Sequence, residues 1–460
     1  MASRPITDYP VKSTSEGTIN PLASYAVKSA PEGMTPKKLI EKANELRPLL
    51  REQQAETEKR GFYSTQIRDQ LNDAGFYAVI QPKKYGGMEA SLSDYFRIIM
   101  ELARGCSSTA WCYALGTGKT MMVSSYYPEE VQQAIYESSG VVHAGHGPGR
   151  STATPVEGGY IINGTFNYCS GSPYSNHHLG TAPVNGVIGE EKVNSWSAEK
   201  VSNLIEFILP RGDGSNYEVL DDWGDNRMLG LNGTGSHSVR VVDQFVPTAW
   251  TIQDVGHNKG LLRDPKTGTA GTRQHGNPMY LGYTEFFLTG EVASVQVGLA
   301  QAMIDEMVDI LRTKKGVRGL YGNSKSAQDD FGEAIKIADG AQAIVLQAIR
   351  EGEELAQEWR DTGVYADEYR LWKCANQFQL AIRMAWDAGV LAFRQAGSSS
   401  LKRGERVQRY FRDLAQERPQ ATTTGGNYRD SLVRARLGLG PDGTLPETSG
   451  DGRVSGATRA

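Results

Sequence analysis

Residues 291–312 read EVASVQVGLAQAMIDEMVDILR, and their apolar residues recur at heptad-like spacing. That period belongs to a long helix with one face turned towards other helices. The spacing returns in FGEAIKIADGAQAIVLQAIREGEELAQEW (331–359) and in YRLWKCANQFQLAIRMAWDAGVLAF (369–393). Long helices joined by short connections predict an antiparallel four-helix bundle over residues 281–437. The remainder, 438–460, reads as a disordered tail.

Upstream the period changes. Between 140 and 252, GGYIINGTFNYCSG (158–171), NLIEFILP (203–210) and HSVRVVDQFVP (237–247) alternate apolar and polar residues and stop at turn residues. That pattern predicts the strands of a small antiparallel barrel or sandwich. A loop rich in Gly, Lys and Arg, 253–280, joins it to the bundle. Further back, PKKLIEKANELRPLLREQQAETEKR (36–60) sets Leu39, Ala43, Leu46 and Leu50 on one stripe. Helical stretches follow near 63–74, 91–104 and 107–126. A helical unit over 34–139 is expected, preceded by a polar arm, 1–33, without helical period.

The 460 residues carry a net charge of −4, with 39% hydrophobic and 22% charged residues. Neither sign of charge dominates, which argues against a nucleic-acid or membrane-surface partner. No run approaches eighteen apolar residues, and the N-terminus lacks an apolar signal region. Cys106, Cys112, Cys169 and Cys374 are scattered, without a C-x-x-C pair. They read as free thiols of a reducing compartment, so a cytoplasmic location and no zinc site are expected.

LGTGKT (115–120) looks like the end of a phosphate-binding loop. The full pattern needs a glycine where Tyr113 stands and a strand running into the loop. CSSTAWCYA (106–114) reads as the start of a helix instead. No strand-linked G-x-G-x-x-G occurs either, so a nicotinamide site of the chain's own is not expected.

The order of helical unit, β unit and helical bundle resembles the acyl-CoA dehydrogenase superfamily. Its fold is α+β, with an N-terminal helical domain, a middle antiparallel β domain and a C-terminal four-helix bundle. GGYIINGTFNYCSG resembles the stretch that runs a glycine-paired hairpin into a strand ending against a flavin ring. DDWGDNRMLGLNGTGSHSVRVVDQFVP (221–247) resembles the segment carrying a Trp, a GTGS and the closing strand, and GLAQAMIDEMVDIL (298–311) the first bundle helix. ARGCSSTAW (103–111) and FRQAGSSSLKRGERVQRYFRDL (393–414) are similar to signatures of the flavin-dependent monooxygenase branch. Dehydrogenases carry a paired-glycine and tyrosine motif in the place of AGSSSL.

The resemblance implies the oxygenase component of a two-component monooxygenase. Reduced FMN or FAD would come from a separate reductase and react with O2 to a C4a-hydroperoxide. That species would hydroxylate an aromatic or heteroaromatic small molecule, or oxidise an amine. A homotetramer built from bundles is also implied. Carried over by position, Ser170 beside Gly171 bonds near flavin N5, and Trp111 packs on or bonds to the flavin edge. Gly397, Ser398, Ser399 and Ser400 suit a flavin phosphate, with Arg312 or Lys314 adding charge across a subunit boundary. Lys119 stands where relatives carry a His facing the substrate. After the Arg-Asp motif, Ala415 and Gln420 stand where relatives carry one or two more. Lys119 and Gln420 are therefore the substrate-side candidates, and Lys119 with Ser170 the catalytic ones.

Rival readings stay open. A dehydrogenase needs a carboxylate over its thioester substrate. The common glutamate falls eight residues beyond Asp413, where this chain has Ala421. Some members place the base on the first bundle helix, so a dehydrogenase or oxidase with a displaced base is the runner-up. A member that only binds or assembles is the third. Plainer roles exist residue by residue: Trp111 as a core aromatic, Ser170 as a strand end, GTGS (233–236) as an unliganded turn. Arg312, Lys314 and Lys119 read equally as solvated helix charges. His143, His146, His177 and His178 lack accompanying carboxylates or thiols and read as polar loop residues, not metal ligands.

Overall fold

The computed structural model describes residues 4–5, 27–139, 144–145, 149–185, 204–211, 216–253, 264, 266–316, 319–419, 426–439 and 444–445. The N-terminal helices are α1 (Pro36–Arg60), α2 (Thr65–Asp73), α3 (Leu92–Gly105), α4 (Ser107–Thr117), α5 (Lys119–Tyr126) and α6 (Glu129–Ser139). Their starts are set locally. Thr35, Ser64 and Ser91 each accept a backbone N–H of the first turn of α1, α2 and α3, satisfying donors that the helix leaves unpaired. Gly61 closes α1 in the left-handed region at φ 92°. Of the expected arm, Arg4–Pro5 (β1) pairs with Leu220–Asp221, and Lys28 N–H donates to Asn72 Oδ1 at 2.9 Å.

The middle of the chain forms two sheets. Strands β3 (Gly149–Val156) and β4 (Gly159–Phe166) pair as a hairpin, and β8 (Val239–Pro247) lies on the other side of β4. With β1 and β7 (Glu218–Asp221) they give the order β1-β7-β8-β4-β3. The second sheet runs β2 (Ala144–Gly145), β5 (His177–Pro183), β6 (Leu204–Pro210), β9 (Thr251–Gln253), and β2–β5 is its one parallel pair. Residues alternating inwards from β3, β4, β6, β7 and β8, among them Phe166, Phe207, Val239 and Val241, fill a separate core. The 253–280 connection is not structureless: Thr269 caps a short helix, α7 (Ala270–His275), by a reciprocal bond with Thr272.

Three long helices follow: α8 (Thr284–Thr313), α9 (Lys325–Thr362) and α10 (Glu368–Gln395), with shorter α11 (Arg406–Glu417) and α12 (Gly426–Leu437) beside them. Between α8 and α9 a two-strand turn, β10 (Lys315–Gly316) with β11 (Gly319–Leu320), reverses the chain. The core does not respect the boundary between the two helical units. Leu46, Tyr95, Phe96, Val292, Phe378 and Ile382 belong to one continuous cluster. Arg104 of α3 holds Asp305 of α8 at 2.8 Å, and Arg51 of α1 reaches the same carboxylate at 3.0 Å. The arginine of ARGCSSTAW thus fastens α3 to the bundle. Helix α8 is long and apolar enough to cross a membrane by composition, but 83% of that window is buried inside the fold. It is the central helix.

Candidate active site

The end of LGTGKT is helical, not a phosphate cradle. Gly118 has φ −61° and separates α4 from α5. A Cβ at Gly118 would overlap the carboxyl group of Glu291, so an acidic side chain fills the space a phosphate would need. Tyr95 Oη lies 2.9 Å from Glu291 Oε1 and 2.8 Å from Ala114 O. Glu291 is 1% exposed. Burial raises its pKa well above the usual carboxylate range, while the Lys119 charge and the Tyr95 bond pull it down. Lys119 and Glu291 therefore act on each other across the start of α5.

Helix α4 is buried at every position but Leu115, and on α5 only Lys119 and Met122 are half-buried. With Trp111 these residues follow one helical face at spacings of four, four and three. Trp111 Nε1 donates to Ser170 Oγ at 3.0 Å. Ser170 Oγ lies 2.8 Å from Ser236 Oγ, which lies 2.7 Å from Thr234 Oγ1. The GTGS turn is bound closely to the turn holding Ser170: Gly171 N–H donates to Thr234 O at 3.0 Å and Ser172 Oγ to Gly235 O at 3.0 Å. Strand β4 ends at Phe166, so Ser170 stands in a turn four residues on, after Tyr168 at φ 57°. A left-handed tyrosine is uncommon and marks a place where the surroundings dictate the backbone.

The Arg-Asp motif braces this junction. Asp413 accepts from Ser107 Oγ at 2.5 Å and from Leu231 N–H at 2.7 Å, joining the first residue of α4 to the loop before GTGS. Leu231 is itself left-handed at φ 53°. Burial, with Glu58 nearby, raises Asp413 to about 6 against the bonds from Ser107 and Leu231 and the Arg412 charge. Arg412 and Arg409 both grip Glu58, at 2.7 and 2.8 Å. One turn beyond Asp413, Glu417 is fully enclosed, and burial holds its carboxyl well above the ordinary range.

A second cluster forms at the far end of α8. Lys314 Nζ donates to Ala396 O at 2.5 Å and Ser400 Oγ at 3.0 Å, with the Tyr321 ring 5.2 Å away. Gly397, at φ 73°, would bring a Cβ within 3.1 Å of Lys314 Nζ and 3.2 Å of Tyr321 Oη, a tight fit in a backbone conformation that favours glycine. Ser398 and Ser399 are exposed, as is Arg312. Burial lowers the Lys314 pKa and Glu405 raises it. Lys314 stands 23 positions beyond Glu291, roughly 35 Å along the helix. Among the described residues no hydrogen bond joins this corner to Trp111 and Ser170.

A cavity of about 280 Å³ opens between the start of α3, residues 277–287 and α9, walled by Met121, Tyr283, Phe286 and Phe287.

Some sequence expectations fall elsewhere. Gln420, His143 and His146 lie outside the described residues. His177 and His178 are not loop residues; they open β5 and are buried. His178 packs 4.7 Å from Phe166 and 5.7 Å from Tyr217, and burial lowers His177 to about 3. No cluster of metal-ligating side chains occurs among the described residues. Glu291, Ser236 and Thr234 were not singled out from the sequence. The hydroxyls of GTGS were the available signal for the last two, whereas Glu291 reads in the sequence as an ordinary first-turn acid.

The two family models that match are the acyl-CoA dehydrogenase N-terminal domain, over residues 37–137, and the acyl-CoA dehydrogenase C-terminal domain, over 291–417. A pigment production hydroxylase of Rhodococcus sp. (strain ATCC 21145) is 28% identical over 386 residues, covering 83% of this chain and 92% of the relative. The oxygenase component of p-hydroxyphenylacetate 3-hydroxylase from Acinetobacter baumannii is 24% identical, over 82% of this chain and 83% of the relative. XiaF from Streptomyces sp., solved with FADH2 and glycerol, superposes with a TM-score of 0.75 at 19% identity, covering 88% of this chain and 96% of that one.

Proposed function

This chain belongs to the acyl-CoA dehydrogenase superfamily and to its flavin-dependent monooxygenase branch, and from that premise we propose how its own residues perform the reaction. It is the oxygenase component of a two-component system, taking reduced FMN or FAD and O2 to hydroxylate an aromatic small molecule. The residues fit a flavin: a helical face half-buried at Leu115, Lys119 and Met122 beside the buried Trp111, an acceptor at Ser170, and a cation with a hydroxyl at Lys314 and Ser400 for phosphate. The observation that carries the assignment is the Trp111–Ser170 bond at the edge of that face. Bound reduced flavin supplies the electrons that activate O2.

Trp111 and Ser170 would hold the ring edge. The largely buried β5–β6 strands and the α4–α8 core would keep bulk water away from it. Lys119 faces the substrate side, where its charge binds an acidic group through charge-assisted hydrogen bonds. Glu291 sits behind Lys119 and sets its charge environment. The phosphate corner of one copy serves the ring face of another, which supports a homotetramer; the separation of the two clusters along α8 is the reason. A cytoplasmic location fits four free, buried thiols.

The test is to mix anaerobic protein and reduced FMN with oxygenated buffer in a stopped-flow spectrometer. Reoxidation in more than one phase, slower than free flavin, is expected. One phase at the free-flavin rate contradicts the assignment.

One observation favours a second reading. Glu291 is a buried carboxyl on the first bundle helix, where a displaced dehydrogenase base would stand. Its enclosure under Gly118 and Tyr95 keeps it from a thioester, and bleaching of bound flavin by an acyl-CoA would reverse that judgement.

A further inference from the structure

Hydroxyl groups in a chain cannot all donate in both directions, and the acceptor at the end decides the sense of the whole chain. Here the end is the Leu231 carbonyl, which can only accept. Thr234 Oγ1 lies 2.9 Å from Leu231 O, so its single proton is committed there; otherwise two lone pairs would face each other. Thr234 Oγ1 then accepts from Ser236 at 2.7 Å, and Ser236 Oγ accepts from Ser170 at 2.8 Å. From the other side, Trp111 Nε1–H donates to Ser170 Oγ at 3.0 Å. Ser170 is left with no proton to offer and one free lone pair.

We infer that the chain Ser170–Ser236–Thr234–Leu231 locks Ser170 as a hydrogen-bond acceptor towards the flavin, so that the site discriminates reduced from oxidised flavin. The inference rests on the reading above that Ser170 meets flavin N5. Reduced flavin carries a proton on N5 and can donate to Ser170. Oxidised flavin presents a lone pair at N5, and two acceptors then oppose each other. An oxygenase fed by a separate reductase gains from this directly, because the spent, oxidised cofactor is the one it must release. Ser236 and Thr234 are positioning residues in this scheme, acting only through Ser170. The chain is rigidly founded: Leu231 N–H is tied to Asp413, and Leu231 O also accepts from Trp223 Nε1 at 3.2 Å. All the hydroxyl members are buried, so water does not compete for the protons.

The experiment measures dissociation constants of oxidised FMN and of anaerobically reduced FMN for the full chain and its variants. The native protein should bind reduced FMN more tightly. Ser236→Ala frees the Ser170 proton to turn towards N5, and the ratio of the two constants should shrink by roughly two- to tenfold, the worth of one hydrogen bond. Thr234→Val breaks the chain one link further on and should do the same, whereas Thr234→Ser keeps the hydroxyl and the native ratio. Ser170→Ala should shrink the ratio by losing the bond itself. A native ratio in both Ser236→Ala and Thr234→Val, with Ser170→Ala altered, overturns the relay and leaves the function standing. A native ratio in Ser170→Ala overturns the placement of Ser170 at N5. A native protein that binds neither form overturns the functional assignment, and the relay with it.

Discussion

The two ends of helix α8 use lysine in opposite ways. At the Glu291 end, Lys119 is set against a carboxyl with 1% exposure, so its charge is spent partly on a group of its own chain. At the other end, Lys314 hydrogen-bonds a carbonyl and a hydroxyl, both neutral, with the Glu405 charge acting on it only at longer range. A cation held by neutral acceptors keeps its charge for an incoming anion; one held against an acid tunes a local equilibrium instead. The first arrangement suits adjustment of a substrate, the second suits capture of a phosphate.

That division is open to experiment. Lys314→Met keeps the aliphatic stem and removes the charge. Affinity for reduced FMN, titrated anaerobically, should fall by roughly ten- to a hundredfold, as for a hydrogen bond to a charged group. Product formed per flavin bound should not change. If affinity holds and coupling falls, the roles of the two ends are reversed.

Lys119→Met should leave flavin affinity near native and lower product per reduced flavin by roughly threefold to tenfold. Hydrogen peroxide should rise in proportion, which a peroxide assay reads directly. Unchanged coupling would return Lys119 to a plain helix charge.

A further effect is on stability and falls at the buried acid. The folded pKa of Glu291 is raised from 4.5 to about 8, so the folded state holds this proton where the unfolded chain has released it. Its contribution is fully present below about pH 4.5 and is lost as pH rises towards 8. Glu291→Gln has no such proton. The melting temperature of the variant, relative to the native protein, should therefore climb between pH 5 and 9. A difference that is flat with pH would mean Glu291 stays ionised beside Lys119.

Motifs that look catalytic turn out to carry the frame. In ARGCSSTAW, Arg104 pairs with Asp305 and Ser107 with Asp413, while Trp111 alone reaches Ser170. In FRDL, Arg412 binds Glu58 and the Leu229 carbonyl. These bonds fix how α4 meets the β unit, and that meeting makes the site. Glu291 escaped notice because the sequence places the start of its helix near 290, where an acid is an ordinary first-turn residue. In the structure the helix starts at Thr284, after Tyr283, which makes no side-chain cap. Without a capping signal the true start is invisible, and Glu291 lies two turns inside.

Periodicity alone was enough to order a helical unit, a β unit and a bundle, because burial of one face imposes 3.6 or 2 residue repeats on any chain that folds this way. Trp111, Ser170, Lys314 and Ser400 came instead from the family resemblance, which rests on local runs of distinctive residues such as SSTAW and AGSSSL. Which of these meet was decided only in three dimensions. Trp111 and Ser170 are 59 positions apart, Ser170 and Ser236 66, Tyr95 and Glu291 196. Contacts at such separations follow from how helices and sheets pack, and packing leaves no repeat in the sequence. The direction of the hydroxyl chain is further removed still, for it depends on one carbonyl, that of Leu231, whose aim is fixed by a left-handed backbone and the buried carboxylate of Asp413.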